Sequence, residues 1–462
     1  MKSKLFWVSA IVLMSFNLLS AKEILVSSLE EFKSVQENIS PGEVIVWEDG
    51  TYKDVFLEVK VSDITIKAKT LGGTIFTGAS RVRVMGDNIT LEGFQFLDGE
   101  IPKSKHIIDN SGSYNHFTQL NFSRYICFRY LSIREESKNC TISHCNFENR
   151  LNLDDKNIVS ILAEESSPGN HVVKYCSFKN FAGEGNDMGI EPLRLGVSFQ
   201  QEFMSNTIVE YCYFTGCNGD DEIISNKSKG NIFRYNTFEN NPISQLVLRH
   251  GDGAVVYGNF FLNGKGGIRV REGSNHAIFN NYFQGLTESS IYLQNSKHGQ
   301  LKDIFVAHNT FIKTAKVKLD SKRGEYPPKK VLITNNLFVA PTKKVLIRPT
   351  GSEKFKNNFY TGNLGVDMTI SGMTQKNPML EENEFGYYQL TSKSPAIDSS
   401  YKAKPKLLKF NSLSLDYTVA FDVMKNDRPT DATRKDIGCW EYMLDVNVKP
   451  HATEENTGPT YL

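Results

Sequence analysis

A right-handed, single-stranded parallel β-helix is the fold this sequence predicts. Three observations predict it: a recurring hexapeptide, the step at which it recurs, and the aromatic residue it carries. The segments ISHCNF, VKYCSF, VEYCYF, FRYNTF, VYGNFF, IFNNYF, VAHNTF, ITNNLF and KNNFY place a Cys or Asn at 145, 176, 212, 236, 259, 281, 309, 336 and 358. The intervals are 31, 36, 24, 23, 22, 28, 27 and 22 residues. A floor near 22 with occasional excess describes a solenoid coil into which some turns insert loops.

Each coil reads as short strands of Val, Ile, Phe and Tyr separated by Asn and Gly turns. Coils stacked about 4.8 Å apart hold equivalent side chains directly above one another. An Asn at a sharp corner can hydrogen-bond the Asn above and below it, and can adopt the unusual backbone angles the corner needs. A small buried Cys suits the same slot in the earlier coils, and the Phe that follows should fill the core. Leucine-rich repeats need a Leu lattice, helical repeats a 3.6-residue apolar period, and propeller blades a repeat of about 40 residues or more. None of these is present.

The ends fit the same architecture. Ser28-Leu29-Glu30-Glu31 with Phe32, Val35 and Ile39 predicts a capped amphipathic helix plugging the first coil. After about Pro395 the pattern fades into a Lys-rich tail ending in DIGCWEY, expected to be a C-terminal cap over 396–462 and not a second catalytic domain. The β-helix is thus expected over 22–395. Before it, Lys2 and Lys4 precede the apolar stretch Leu5 to Leu19, with Ser20-Ala21 before Lys22. That pattern predicts a signal peptide over 1–21 and export to the periplasm or beyond. No later segment approaches about 18 apolar residues, so no membrane span is expected in the mature chain.

A hydrophobic content of 40% excludes a disordered chain. The net charge of +1 gives no global sign of a nucleic-acid binder or a membrane-surface protein. An anionic partner must be met by a local basic cluster. The seven cysteines are odd in number, and Cys145, Cys176 and Cys212 read as ladder residues, not as bridges or metal ligands.

One stretch carries chemistry: Asp220-Asp221-Glu222-Ile223-Ile224-Ser225-Asn226-Lys227-Ser228, then LVLRHG ending at Gly251, then Gly267-Ile268-Arg269-Val270-Arg271. Lys227, Arg249 and Arg271 are spaced 22 residues apart, one coil each, and form a basic column; the register leaves open whether Arg249 or His250 sits directly over Lys227. Both Lys227 and Arg249 should project from strands into a groove. Cations this close are unfavourable unless something anionic compensates, and Asp220, Asp221 and Glu222 are at hand. The column suits β-elimination at a uronate. The C5 proton becomes acidic only when the neighbouring carboxylate is neutralised. A Lys crowded by Arg can act as the base, an Arg can stabilise charge and deliver a proton, and Asp220 with Glu222 could ligate a hard cation such as Ca²⁺.

In EIISNKS (Glu222 to Ser228), FRYNTF, LVLRHG and GGIRV (Gly266 to Val270) the sequence resembles the chondroitinase B and alginate lyase group, polysaccharide lyase family six. The resemblance covers most of the mature chain. It implies that Lys227 is the base and Arg249 the acid, that His250 and Arg269 hold sugar, and that Ca²⁺ neutralises the substrate carboxylate. Arg271 and Arg194 complete the expected substrate-binding set. The metal motif departs from the family. Asp220 stands where a Glu is usual, and Met188 stands three residues before Glu191 where an Asn is expected. Met cannot ligate Ca²⁺. Either Asn186 reaches in, or the metal is absent and a basic residue or water substitutes. No organic cofactor is implied.

Alginate is the expected substrate, with dermatan sulfate the alternative; the basic segment Lys313 to Arg323 could serve sulfate. Two further readings use other chemistry. A polygalacturonase-like hydrolase would use Asp220-Asp221, His250-Gly251 and Arg269-Val270-Arg271, but would leave Lys227 without a role. A non-catalytic carbohydrate-binding solenoid would not need Lys and Arg in register.

Overall fold

In the computed structural model the described residues are 21–462, except 153–156, 184, 186–188, 295–298, 320–325, 402–419 and 432–433. The expected signal peptide therefore lies outside them, apart from Ala21. Among the described residues, three parallel sheets of 14, 12 and 14 strands wind along one axis, each strand pairing with its equivalent in the coils before and after. This is the parallel β-solenoid the repeat predicts. No helix is long and apolar enough to cross a membrane among the described residues.

The ladder forms as its chemistry requires. The Nδ2 of Asn236, Asn259, Asn281, Asn309 and Asn336 each donates to the Oδ1 of the next Asn, at 2.9–3.0 Å, ending on Asn358. At the earlier end the Cys212 N–H donates to Asn236 Oδ1 at 2.9 Å. The left-handed backbone falls one residue earlier than expected: Tyr211, Tyr235, Asn280, His308, Asn335 and Asn357 have φ of 50–56°. The ladder residue instead follows the corner and ties its polar groups to the neighbouring coil. Gly258 takes that corner in its coil (φ 68°), and a Cβ there would lie 2.6 Å from the Tyr235 ring. Inside, the rings of Phe147, Phe178, Phe214, Phe238, Phe261, Phe283, Phe311 and Phe338 stack at 4.7–5.0 Å. All seven cysteines are buried and free.

The helix Leu29–Gln36 closes the first coil. Ser28 Oγ accepts from the Glu31 N–H at 3.2 Å, Glu31 accepts from Ser27 N–H, and Phe32 packs against Trp47. The C-terminal segment does more than close the far end. It turns back along the flank, where Val423, Ile437, Trp440 and Val448 pack on Phe260, Tyr282 and Leu337 of the second 14-stranded sheet. Fully buried Arg428 pairs with Glu441 and donates to Asn280 Oδ1 at 3.1 Å, fastening this strap to the coils. Further back, Gly458 N–H donates to Tyr175 O at 2.8 Å, and the Tyr461 hydroxyl lies 3.1 Å from Gln119 O. These contacts of the strap's described residues lie on the two 14-stranded sheets or at the corner between them.

Candidate active site

The 12-stranded sheet carries the basic column. Its strands Leu193–Leu195, Glu222–Asn226, Gln245–Leu248 and Ile268–Val270 lie side by side. Register pairs Leu195 with Asn226, Asn226 with Leu248, and Leu248 with Val270. The residues just past each strand end are therefore Lys227, Arg249 and Arg271, which settles the order left open by spacing. Their N–H groups donate to Leu195 O, Asn226 O and Leu248 O at 2.8–2.9 Å. His250 stands one place further on. Gly251 allows this coil to close on the last: a Cβ there would lie 2.3 Å from Ser228 O, and its φ is 79°.

Lys227 is less open than expected. The residue is only 8% exposed, and its Nζ lies 3.8 Å from Glu191 Oε1. Burial pushes its pKa below the ordinary lysine value; Glu191 and Glu222 oppose the shift, and Arg194 and Arg249 reinforce it. Arg249 Nη1 donates to Glu222 Oε1 at 2.6 Å. His250 Nδ1 is 2.8 Å from Glu272 Oε2, and Arg269 Nε donates to Gln294 Oε1 at 2.8 Å. Arg194 approaches Glu191 Oε2 at 3.8 Å, and its buried Nε has no hydrogen-bond partner among the described residues. Lys227, Arg249, His250, Arg269, Arg271 and Arg194 thus all lie on this sheet or just past its strand ends.

Several partners were not legible. Glu191 lies against both Lys227 and Arg194, but the 31-residue step between Leu193 and Ile224 hides its alignment with Glu222. Glu272 follows His250 by 22 residues and could have been found by extending the same ruler, whereas Gln294 follows Arg271 by 23 and falls just off it. Arg129 was missed as well. It donates to Asn157 Oδ1 at 2.8 Å, and its pKa is pushed down to about 9, by burial first and then by Arg194.

The acidic residues separate into two groups. Asp221 pairs with Lys265 at 3.2 Å. Asp220 is buried and accepts from the N–H groups of Gly189 and Glu222. Burial first, then the charges of Glu191 and Glu222, push its pKa up to about 7, against the pull of those N–H groups. Glu191 Oε2 and Glu222 Oε2 are buried without hydrogen-bond partners among the described residues. Carboxylate oxygens are the ligand type a hard cation such as Ca²⁺ takes, and Glu191 and Glu222 each keep that one unpartnered oxygen although each is paired with a basic side chain. The carboxylates do not converge as placed: no group of three His, Cys, Asp or Glu side chains among the described residues forms a cage. Asn186 and Met188 lie outside the described residues.

The architecture and this groove define a parallel β-helix protein with a basic column set on buried carboxylates. The family model for chondroitinase B matches residues 26–399, and the chain belongs to that family. Among solved structures, the PL6 family alginate lyase AlyGC is similar at a TM-score of 0.71 and 24% identity, over 80% of this chain and 55% of AlyGC. This chain therefore spans little more than half of that protein's length. A mannuronic acid specific polysaccharide family 6 lyase from human gut microbiota is similar at a TM-score of 0.65 and 23% identity, over 73% of this chain and 86% of its own. Alginate lyase AlyF-OU02, in complex with G6, gives 0.67 and 18%, over 81% and 92%. At these identities the likeness is one of fold. No curated protein matches the chain.

Proposed function

We propose that this protein is a polysaccharide lyase that cleaves the 4-O-glycosidic bond of an acidic uronate polymer, alginate, by β-elimination. One observation carries the reading: a buried lysine amine, pushed towards its neutral form, lies against Glu191 with arginines in the coils before and after it, Arg194 within its strand and Arg249 just past the end of the next. Neutral Lys227 removes the C5 proton, with Glu191 holding its amine in position. Arg249, fixed by Glu222, stabilises the charge that builds on the carboxylate side and delivers a proton to the departing 4-oxygen. Arg194, beside Lys227 and Glu191, joins the substrate-binding set. His250, Arg269 and Arg271 hold neighbouring sugars. The product carries an unsaturated uronate at its new non-reducing end.

Ca²⁺ held by Asp220 and Glu222, with Asn186 from outside the described residues, would neutralise the substrate carboxylate and acidify C5. Residues 1–21 act as a signal peptide for export to the periplasm or beyond, so N-terminal sequencing of native material should begin near Lys22.

A hydrolase needs two carboxyl groups facing the bond across a water. Asp221 is engaged by Lys265 while Asp220 is buried beside Glu191 and Glu222, so the pair does not serve. Alginate is chosen over dermatan sulfate because the solved relatives are named for alginate or mannuronic acid. Of the basic segment considered for sulfate, Lys313 lies over the Tyr388 ring, and 320–323 fall outside the described residues. Purified protein incubated with each polymer tests the choice. Turnover of alginate with none of dermatan sulfate is expected; the opposite preference overturns it.

A further inference from the structure

The same sheet carries a second basic cluster, well before the column, that the chemistry above does not use. A cavity of about 60 Å³ is lined by Arg81, Arg83, Lys105, His106, Asp109 and Arg134. The charges are unequal. Asp109 is taken up by Arg134, whose Nε and Nη2 reach its two oxygens at 2.6 and 2.9 Å. Among the described residues Arg83 has one distant, half-buried acidic partner, Glu58 at 3.9 Å. Arg81 lies over the Phe56 ring at 3.8 Å, and neither it nor Lys105 has an acidic partner among the described residues. Three cations are left over around a small opening.

The independent sign of a ligand is His106. The residue is 8% exposed, and its Nδ1 is buried with no hydrogen-bond partner among the described residues. A buried imidazole nitrogen without a partner is costly, and here its residue lines a cavity rimmed by cations. Burial first, and then Arg129, Arg134 and Lys105 against the pull of Asp109, push the His106 pKa down to about 4. An anion in the cavity would relieve both the orphaned nitrogen and the excess positive charge.

Backbone hydrogen bonds give the distance to the candidate base. Arg134, Leu162, Gly196 and Lys227 are equivalent positions, each donating to the preceding coil, at Asn110, Ile133, Ile161 and Leu195. Three coil steps separate Arg134 from Lys227, and His106 and Arg83 lie one and two coils further back, so the cavity is about 19–24 Å from Lys227 along the sheet. A short oligosaccharide spans that length.

We propose that the Arg81–Arg83–Lys105–His106 cavity is an oxyanion site that holds a carboxylate of the same polymer chain, several sugar units from the bond being cut. This deepens the reading of the protein as a uronate lyase, and rests on it. The site anchors long chains and contributes nothing to chains too short to reach from Lys227.

Two arms test it on the full-length protein. In the first, inorganic sulfate is titrated while histidine imidazole signals are followed by nuclear magnetic resonance, with His106 assigned by its loss in His106→Gln. A saturable shift of His106 is expected, and it should vanish in the Arg83→Ala/Lys105→Ala double variant, whose two side chains are exposed. No saturable shift overturns the site. In the second, oligouronates of increasing length are titrated calorimetrically into Lys227→Met, with and without the double substitution. Long oligomers should bind at least about tenfold more weakly when the two cations are removed, and trimers equally. Sulfate binding together with unchanged oligomer affinities would mark a site for free anions and overturn the polymer assignment. Sulfate binding with no oligouronate bound at any length would overturn that assignment too, by removing the functional reading beneath it.

Discussion

Lys227 and Glu191 come from adjacent coils and meet at 3.8 Å, with the lysine amine buried and the charges of Arg194 and Arg249 acting on it. The carboxylate holds the amine in position and stabilises its charged form, while burial and the two arginines oppose that charge. A base held this way is both positioned and poised.

Replacing the base should stop turnover. Lys227→Met keeps most of the buried stem and should lower the rate by about 10²–10⁴-fold, measured on polymer at saturating concentration. Lys227→Arg should be equally inactive, because guanidinium stays protonated. Lys227→Ala is the poorer probe. Spacing alone suggested an exposed side chain that could be removed at little cost, but the amine is buried against Glu191, so either truncation strands that carboxylate, at up to about 3–5 kcal/mol, and Ala loses the buried stem as well. A Lys227→Met protein that folds and keeps more than about a tenth of the wild-type rate would remove Lys227 from its role.

The pH profile should rise through the pKa of Lys227, since the base acts only when neutral. That limb should lie below the ordinary lysine range, as burial and the two arginines dictate. Arg194→Gln removes one neighbouring cation and should move the limb to higher pH. An unmoved limb would assign it to another group.

Asp220 ties pH to stability. Its folded pKa, about 7, lies above the unfolded carboxylate value, so the folded state binds the extra proton and stability falls as pH rises from about 4 to 7. Asp220→Asn should be more stable than the wild type at pH 8, by at most about 4 kcal/mol, and little different at pH 4. Added Ca²⁺ should raise the wild-type melting temperature at pH 8 and leave Asp220→Asn unchanged. Chelation should lower activity reversibly; full activity after exhaustive chelation would mean that side chains alone neutralise the substrate.

The ladder should be structural only. Asn281→Ala leaves buried groups of Asn259 and Phe279 without partners and should cost about 1–3 kcal/mol for each group stranded. The pH limb of activity should not move.

The repeat was legible because stacking forces equivalent side chains into columns, so Asn236 to Asn358 and the Phe stack announce themselves at a 22–28-residue step. Lys227, Arg249 and Arg271 were legible for the same reason. The carboxylates beneath them were less so. Glu191 precedes a coil enlarged by the 196–205 excursion, and spacing cannot be carried across an insertion of that size. Neither the flanking strap nor the His106 cavity has a periodic signature. The strap packs through scattered residues such as Trp440 and Tyr461, and the cavity joins residues from coils before the regular hexapeptides begin.

The central claim is elimination by this column, and the ultraviolet absorbance of the new C4–C5 double bond tests it most directly. Wild-type protein incubated with alginate should generate that chromophore in step with new reducing ends, and Lys227→Met should generate neither. Reducing ends that appear without the chromophore would contradict the account and identify the reaction as hydrolysis.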